Sequence, residues 1–309
     1  MKQVWAPAIS SSGNVDSGVV QGFVFSKLSG QGNDFIIVDN RREHPVKSWP
    51  AFARLNCDCR RSVGADGVLV IGASKDNDFR LRIFNADGSE ADMCGNGARC
   101  AAVYAVRKNI VLPSMTMETG AGPIRALVDG NHATIRMTAV RELQTPVFLS
   151  LRGLFPVRVF SIDSGVPHAV AFTGEESPAM VFETTLKAAL PMLVHRRGRE
   201  LRNHPRWGKQ GSNVDFVEIL DESRIYVRTY ERGVEAETRA CGTGAVASAF
   251  AARRAGYIDS ETIVVEMPGG VLSVFFQKDE KGGHDAWLAG PVDWICEGAL
   301  PRESEEEQG

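Results

Sequence analysis

The residues best suited to chemistry are two cysteines in matching surroundings. Cys94 begins the segment CGNGA, and Cys241 begins the segment CGTGA 147 residues further along the chain. In each case a run of β-type residues and an acidic, glycine-containing loop precede the cysteine, and an alanine-rich stretch of helical character follows it. The sequence therefore predicts a paired site in which each cysteine stands at the start of a helix.

A cysteine at a helix N-terminus is suited to ionisation. The free backbone N–H groups of the first turn favour negative charge, and they lower the pKa of a thiol beside them. Gly95 and Gly242, which follow the two cysteines, also let the backbone approach a bound anion closely. We therefore expect each cysteine to have a raised thiolate fraction and to share its helix amides with a substrate carboxylate.

Two such cysteines indicate proton transfer rather than covalent catalysis. A single reactive cysteine is typical of a nucleophile. Two in pseudo-symmetric positions favour a reaction in which a thiolate removes a proton from one face of a carbon while a thiol delivers a proton to the other face. This reaction inverts a stereocentre. Donors at the two helix N-termini would stabilise the carbanion of an amino acid, and no lysine motif indicates a pyridoxal site, so we expect no cofactor.

The rest of the chain predicts the elements that carry the cysteines. Residues 98–109 and 245–255 are interpreted as helices, and each is followed by a hairpin, at residues 114–130 and 262–276. The order of cysteine, helix and hairpin thus occurs twice. It predicts two similar α+β units with the cysteine loops at their interface, where ligand clefts commonly form.

The segments outside this repeat give further predictions. Residues 32–38 resemble residues 212–219, since in each a polar asparagine turn enters an apolar strand, and we interpret this similarity as a second part of the repeat. Residues 155–172 predict a hairpin, residues 182–194 a helix and residues 196–211 a polar loop.

Composition limits the class of protein. The chain of 309 residues has a formal net charge of -3 and no basic excess, which argues against a nucleic-acid partner. No run of about 18 apolar residues predicts a membrane span. Six cysteines are too few for a disulfide scaffold of this length, which favours a reducing cytoplasm. Cys57 and Cys59 have no second ligand pair, so no metal is expected.

The two ends are expected to lie outside the folded part. Residues 1–22 lack the apolar core of a secretory signal and are interpreted as a disordered N-terminal extension. Residues 301–309 are interpreted as an acidic, solvated tail.

Several motifs together resemble the diaminopimelate epimerase family. They are NADGSEADMCGNGARC, YERG, ACGTGA, GNDF and SGVPH, and the resemblance covers residues 23–299. It implies a cofactor-independent enzyme that interconverts L,L- and meso-diaminopimelate on the route to lysine and peptidoglycan. It also implies an α+β fold of two pseudo-symmetric domains, each a curved mixed β-sheet or barrel wrapped on a central helix, with the active site at their interface.

The resemblance implies domain limits and an assembly. Residues 23–139 together with 287–300 would form the N-terminal domain, because the last strand returns to it, and residues 140–286 would form the C-terminal domain. Members of the family are commonly homodimers, so we expect a homodimer whose ligand is a small amino acid.

The site residues follow from the same resemblance. Cys94 and Cys241 match the acid/base thiols, and His168 and Glu231 match the groups that assist them. The implied substrate contacts are Asn33, Asn85, Gly95, Asn96, Asn213, Glu231, Arg232, Gly242 and Thr243. Two positions depart from the pattern: Val166 stands where many members have Asn, and Gly67 stands where some have Gln. Each departure removes one side-chain amide.

Other functions remain open at this stage. A racemase of proline, hydroxyproline or histidine on the same scaffold is one alternative, although proline racemases usually carry Gly-His after the first cysteine and this chain has Gly95-Asn96. A non-catalytic binding or redox protein, with a reversible disulfide between Cys94 and Cys241, is another. A cysteine hydrolase is less favoured, because it leaves the second cysteine without a role.

Overall fold

The computed structural model describes residues 23–42, 46–152, 156–173, 181–182, 184–278 and 284–300. The expected N-terminal extension and acidic tail lie outside these residues. The helices are α1 (Trp49–Asn56), α2 (Gly95–Arg107), α3 (Pro191–Arg202) and α4 (Gly242–Arg254), with a 3₁₀ helix at Pro205–Trp207. The strands of the first half are β1 (Phe23–Gly30), β2 (Asn33–Asp39), β3 (Gly67–Gly72), β4 (Phe79–Asn85), β5 (Glu90–Ala91), β6 (Ser114–Thr119), β7 (Gly122–Asp129), β8 (His132–Arg136) and β9 (Arg141–Leu149). Those of the second half are β10 (Val157–Asp163), β11 (Pro167–Thr173), β12 (Asn213–Ile219), β13 (Arg224–Glu231), β14 (Ala236–Thr238), β15 (Thr262–Met267), β16 (Gly270–Lys278), β17 (His284–Pro291) and β18 (Asp293–Leu300).

The two halves have the same strand topology. In the first half β1 is antiparallel to β2, β2 is parallel to β3, β3 is antiparallel to β4 and β4 is parallel to β6. In the second half β10, β11, β12, β13 and β15 pair in the same sequence of directions. The hairpins β6–β7 and β15–β16 then follow α2 and α4. The predicted α+β fold with two pseudo-symmetric units is confirmed.

The two units are joined by strand pairing at their edges. β8 of the first unit pairs antiparallel with β17 of the second. β9 follows the first unit along the chain but pairs with β10, and β18 follows the second unit but pairs with β1. The last strand therefore returns to the beginning of the chain, as the family resemblance implies.

The two helices that follow the cysteines lie inside the molecule. Ten residues of α2 and eight of α4 are buried. A helix that is buried on most of its surface lies in a core, and the small side chains of alanine let the surrounding strands approach it closely. One hydrophobic cluster contains residues of both helices and of both units, so the core is continuous across the interface.

The prediction of a helix at residues 182–194 is wrong, and so is the first part of the polar loop predicted at residues 196–211, because residues 196–202 are helical. The helix in this region is α3, which begins at Pro191 and ends at Arg202. Pro191 suits the first helical turn, and Val194, Gly198 and Leu201 form a narrow buried stripe. Because the other positions are mostly charged, the segment resembles a loop in sequence. The hairpin predicted at residues 155–172 is confirmed by β10 and β11.

The interpretation of residues 32–38 and 212–219 as repeat equivalents is also wrong. These residues form β2 and β12, but β12 is parallel to β11 and antiparallel to β13, which is the position of β3 in the first unit. The two segments resemble each other because a polar turn before an apolar run is a general way to begin a buried strand. Among the described residues, no helix is long and apolar enough to cross a membrane.

Candidate active site

Cys94 and Cys241 are the N-cap residues of α2 and α4. The Sγ atom of Cys94 accepts a hydrogen bond from the Gly97 N–H, and that of Cys241 accepts one from the Gly244 N–H, each over 3.4 Å. Both cysteines have the extended backbone conformation that is usual for an N-cap. The predicted position of each cysteine at the start of a helix is confirmed.

The N-termini of the two helices meet at the interface between the units. A Cβ atom built on Gly242 would lie 3.9 Å from the Cα atom of Gly95 and 3.0 Å from a side-chain carbon of Leu288. A larger residue at position 242 would therefore crowd this contact. Since each glycine directly follows a cysteine, Cys94 and Cys241 each lie one residue from this contact.

Two asparagines approach Cys94. The Asn33 Nδ2 atom donates to Asp66 Oδ2 over 2.7 Å, and this bond orients the amide at the start of β2. Its Oδ1 atom accepts from Asn96 Nδ2 over 3.3 Å and lies 3.9 Å from the Cys94 Sγ atom. The structure thus brings Asn33 and Asn96 together beside the first thiol.

A chain of hydrogen bonds leads from a buried carboxylate to Cys241. Asp215 Oδ1 accepts from the Thr229 hydroxyl over 2.7 Å, and Asp215 Oδ2 lies 2.6 Å from His168 Nδ1. His168 Nε2 lies 3.0 Å from the Thr243 hydroxyl, which is 3.4 Å from the Cys241 Sγ atom. The side chains of His168 and Asp215 are fully buried. Cys241, His168 and Thr243 were predicted as site residues, whereas Asp215 and Thr229 were not.

The loop that precedes Cys241 is held by Asn213. Its Oδ1 atom accepts from the Arg232 backbone N–H over 2.8 Å, and its Nδ2 atom donates to the Pro167 carbonyl over 3.2 Å. Asn213 therefore ties the end of β13 to the turn before His168. Burial raises the pKa of the neighbouring Glu231 carboxyl, and His168 opposes this shift.

Asn85 lies apart from this network. Its side chain is exposed and donates to the Ser89 hydroxyl in the same turn, over 2.9 Å. The facing residue on β3 is Gly67, where a Cβ atom would lie only 2.6 Å from the Phe84 carbonyl oxygen. The close approach of β3 and β4 therefore explains why glycine stands at position 67.

The turn that contains Val166 lies against the N-terminus of α4. The buried hydroxyl of Ser164 donates to the Thr243 carbonyl oxygen over 2.9 Å, and Gly165 adopts a positive φ of 108°. This contact fixes the turn without using the side chain at position 166. Val166 is half-buried and supplies no hydrogen bond donor or acceptor from its side chain.

The surroundings of the two thiols shift their pKa values upward. Burial raises the pKa of Cys94, and the backbone N–H groups at the start of α2 oppose the shift. Burial also raises the pKa of Cys241, and the negative charges of Glu231 and Asp215 add to this shift. The expectation of a raised thiolate fraction at both positions is therefore wrong for the protein without substrate. The helix amides act in the predicted direction, but burial outweighs them.

Comparison with known proteins identifies the family of this chain. A sequence model described as diaminopimelate epimerase matches residues 25–142 and 160–295. The chain is 36% identical over 291 residues to the diaminopimelate epimerase of Aquifex aeolicus, covering 90% of this chain and 98% of that protein. It is 37% identical over 289 residues to the diaminopimelate epimerase of Methanocella arvoryzae, covering 89% and 96%. The chain belongs to the diaminopimelate epimerase family.

Solved structures of more distant proteins share the fold of this diaminopimelate epimerase family member. A probable proline racemase from Agrobacterium radiobacter matches with a TM-score of 0.67 and 16% identity, covering 93% of this chain and 94% of that one. A protein of the phenazine biosynthesis PhzF family from Bacillus anthracis matches with a TM-score of 0.66 and 16% identity, covering 91% and 99%. Both likenesses show the fold alone.

Several polar residues that contact the site of this family member were missed in the sequence, among them Asp215, Ser164 and Asp66. Asp215 lies within the apolar strand β12, Ser164 in a turn and Asp66 before β3. An acidic residue in an otherwise apolar strand is a usable signal, because a buried carboxylate requires a partner. Ser164 and Asp66 lie in polar turns and give no such signal. Among the described residues, no group of three or more His, Cys, Asp or Glu side chains is arranged to hold a metal ion.

Proposed function

We propose that this chain is an isomerase that interconverts L,L- and meso-diaminopimelate by moving an α-proton between two thiols. The observation that carries the proposal is the meeting of α2 and α4 with Cys94 and Cys241 as their N-caps. Membership of the diaminopimelate epimerase family supports the substrate. The reaction supplies a step of lysine and peptidoglycan precursor synthesis.

In this reaction one cysteine acts as the base and the other as the acid. The thiolate removes the α-proton from one face of the substrate, and the opposite thiol protonates the carbanion on the other face. The product therefore has the inverted configuration, and the two sulfur atoms have exchanged their roles. The reverse reaction uses them in the opposite order.

The substrate carboxylate is placed at the two helix N-termini. The backbone N–H groups near Gly95, Asn96, Gly242 and Thr243 can bind this anion and stabilise the charge that forms when the proton leaves. This stabilisation replaces the electron sink of an organic cofactor, so we propose that none is required. The other proposed contacts, in part supported by the hydrogen bonds described above, are Asn33, Asn85, Asn213, Glu231 and Arg232.

His168 assists the ionisation of Cys241 through Thr243. The proton on the Cys241 sulfur passes to the Thr243 oxygen while the Thr243 hydroxyl proton passes to His168 Nε2, which leaves a thiolate and an imidazolium. The buried Asp215 carboxylate, 2.6 Å from His168 Nδ1, stabilises the imidazolium charge. Glu231, whose pKa is raised by burial, lies near both thiols and can hold a proton close to them.

We also propose the domain limits, assembly and location implied by the family. Residues 23–139 with 287–300 form one domain and residues 140–286 the other, which is supported by the pairing of β18 with β1 and of β9 with β10. The enzyme works as a homodimer in the cytoplasm. Its ligand is the amino acid substrate, with no nucleic-acid or membrane partner.

A panel of amino acids tests the substrate. Purified protein with reductant is incubated in deuterated water separately with L,L-diaminopimelate, proline, hydroxyproline and histidine, and proton NMR follows the loss of each α-proton signal as deuterium replaces the proton. We expect exchange with diaminopimelate alone, and the variants Cys94→Ser and Cys241→Ser each to lose at least about 10²-fold of the rate. Conversion of another amino acid instead would contradict the substrate. Full activity in either variant would contradict the mechanism.

A further inference from the structure

Glu235 closes the turn that carries two of the proposed substrate contacts, and the mechanism above gives it no role. The turn comprises residues 232–235, between β13 and β14, and Glu231 and Arg232 stand where it begins. Cys241 lies only six positions after Glu235 in the chain. The conformation of this turn therefore sets where Glu231 and Arg232 lie before the substrate arrives.

The backbone of Glu235 has an unusual conformation. Its φ is 57°, in the left-handed region that residues other than glycine rarely adopt. The corresponding turn of the first unit, residues 86–89 between β4 and β5, has a glycine, Gly88, in this region. A residue with a side chain persists there only when its surroundings hold it in place. We therefore expect Glu235 to make contacts that offset this strain.

The backbone and the carboxylate of Glu235 are both hydrogen-bonded. Its N–H donates to the Glu231 carbonyl over 2.8 Å, and its carbonyl oxygen accepts from the Tyr230 hydroxyl over 2.8 Å. Its Oε1 atom accepts from the Gly233 N–H over 3.1 Å. The same oxygen accepts from Arg202 Nε over 3.0 Å and from Arg202 Nη2 over 2.8 Å. Glu235 thus joins both ends of the turn to the last residue of α3.

Arg202 is a fixed anchor for this carboxylate. Only 14% of its side chain is exposed, against 45% of the Glu235 side chain. Its Nη1 atom donates to the Gln210 carbonyl over 3.1 Å, and a Cβ atom on Gly211 would overlap its guanidinium. An ion pair between two exposed side chains contributes little, since ordering both of them offsets the attraction. Here the arginine is already ordered, so pairing with it orders Glu235 at a lower cost.

Asn213 holds the opposite end of the same turn. Its Oδ1 atom accepts from the Arg232 N–H over 2.8 Å, as described above. Asn213 belongs to β12 and Arg202 to α3, so two separate elements of the second unit fix the turn at its two ends. Without the ion pair, the Asn213 bond would hold Arg232 by one backbone atom, and residues 233–235 would lose this contact with α3.

We propose that Glu235, anchored by Arg202, is a positioning residue that holds residues 232–235 in the substrate-binding conformation before the substrate binds. It acts through Glu231 and Arg232 and takes no part in proton transfer. A turn that is already ordered avoids the entropic cost of ordering during binding. The inference rests on the proposed function for the identity of the substrate, whereas the order of the turn is a property of the protein without substrate.

Substitution of Glu235 by glycine separates the carboxylate from the backbone conformation. Glycine adopts a positive φ freely, so Glu235→Gly permits the same turn and removes its anchor. We expect KM for L,L-diaminopimelate to rise at least about 5-fold while kcat changes by less than about 2-fold, because the bound substrate orders the turn in either protein. Glu235→Gln keeps an acceptor oxygen for Arg202 and should restore part of KM. An unchanged KM in folded Glu235→Gly, or a fall in kcat as large as the rise in KM, would overturn the proposal.

Substitution of Arg202 tests the cause. Arg202→Met should raise KM about as much as Glu235→Gly, and the double variant should be no worse than the weaker-binding single variant, because both changes break one ion pair. Additive effects would contradict this. Asn109→Gly places a glycine at an exposed position with a φ of 54° after α2, and this matched control should keep the wild-type KM. Circular dichroism checks folding, and Arg202→Met decides if Glu235→Gly does not fold.

Hydrogen exchange followed by mass spectrometry tests the turn without any substrate. Wild-type protein and Arg202→Met are compared in peptides that cover residues 230–238 and residues 262–267, whose sequences the substitution leaves unchanged. We expect exchange in the first peptide to become at least about 5-fold faster and exchange in the second to stay the same, since the turn opens more often. Equal exchange in the two proteins would overturn the inference even if diaminopimelate is the substrate. A protein that does not epimerise diaminopimelate would contradict the proposed function, and the exchange comparison would then decide the role of Glu235 by itself.

Discussion

At the scale of single residues, the two cysteines share a cap geometry but differ in their neighbours. Asn33 and Asn96 approach Cys94 with neutral amides, whereas Cys241 lies at the end of the chain from Asp215 through His168 and Thr243. A reaction that exchanges acid and base does not require equal surroundings. It requires that one thiol is protonated when the other is not.

The contribution of the buried Asp215 carboxylate to the rate of epimerisation can be measured with the variant Asp215→Asn. An amide of similar size keeps the packing but does not stabilise an imidazolium at His168. We expect the rate of epimerisation to fall by about 10²-fold. The loss in kcat/KM should be equal in both directions, because the equilibrium between the two isomers is a property of the substrates. Initial rates from L,L- and from meso-diaminopimelate, at substrate concentrations well below KM, provide the measurement.

Asp259→Asn is the control for this substitution, because Asp259 is exposed and lies outside the site. It should retain the wild-type rate. If Asp215→Asn is as active as this control, the hydrogen-bond chain to Cys241 has no part in catalysis.

The sequence indicated the proposed reacting residues better than the residues around them. Cys94 and Cys241 stand in a duplicated motif that is visible without a structure. Asp215 contacts His168 and Thr229, which are distant from it in the chain, and no local pattern specifies these partners. The net rise in the thiol pKa values was missed for the same reason, since it depends on burial.

At the scale of elements, α3 shows how a polar segment can form a packed helix. Only a narrow stripe of α3 is buried, and within it Gly198 lies so close to Tyr230 on β13 that a Cβ atom would overlap this side chain. In the sequence, the arginines of α3 indicated a loop, because the buried stripe of this helix is short. The alanine-rich α2 and α4 were easier to predict, since their composition favours a helix at nearly every position.

The packing of α3 on β13 predicts whether Gly198→Ala stabilises or destabilises the fold. At a free helical position this change would stabilise the fold by about 1 kcal/mol. Here the added methyl group meets Tyr230, so we expect the free energy of unfolding to fall by about 1–3 kcal/mol. Urea denaturation followed by circular dichroism measures the difference.

Arg196→Ala provides the comparison within the same helix, because Arg196 is exposed. Its effect should stay within about 0.5 kcal/mol. A Gly198→Ala protein more stable than the wild type would show that α3 does not pack on β13 as described.

At the scale of the whole molecule, the last strand of the chain completes the unit that begins the chain. β18 pairs with β1, while β9 leads into the second unit by pairing with β10. The sequence predicted that the motif occurs twice. It did not by itself predict the return of the last strand, because which strands pair depends on how the two units meet, and this return was expected only from the family resemblance.

This arrangement brings together two cysteine-capped helix N-termini, one from each unit. A two-base reaction needs the two groups on opposite faces of the substrate, and pseudo-symmetric halves are suited to supply them. The proposed reaction therefore depends on both units, since each supplies one of the two thiols.

The most direct test of the two-thiol reaction is the early course of epimerisation in deuterated water. Wild-type protein is mixed with L,L-diaminopimelate, and the deuterium content at the α-carbon of substrate and product is measured after a few per cent of conversion. We predict that meso product carries deuterium, because its new hydrogen comes from the second thiol, while recovered substrate keeps its original hydrogen. Substrate that gains deuterium as fast as product forms would indicate a single base acting on both faces and would contradict the account.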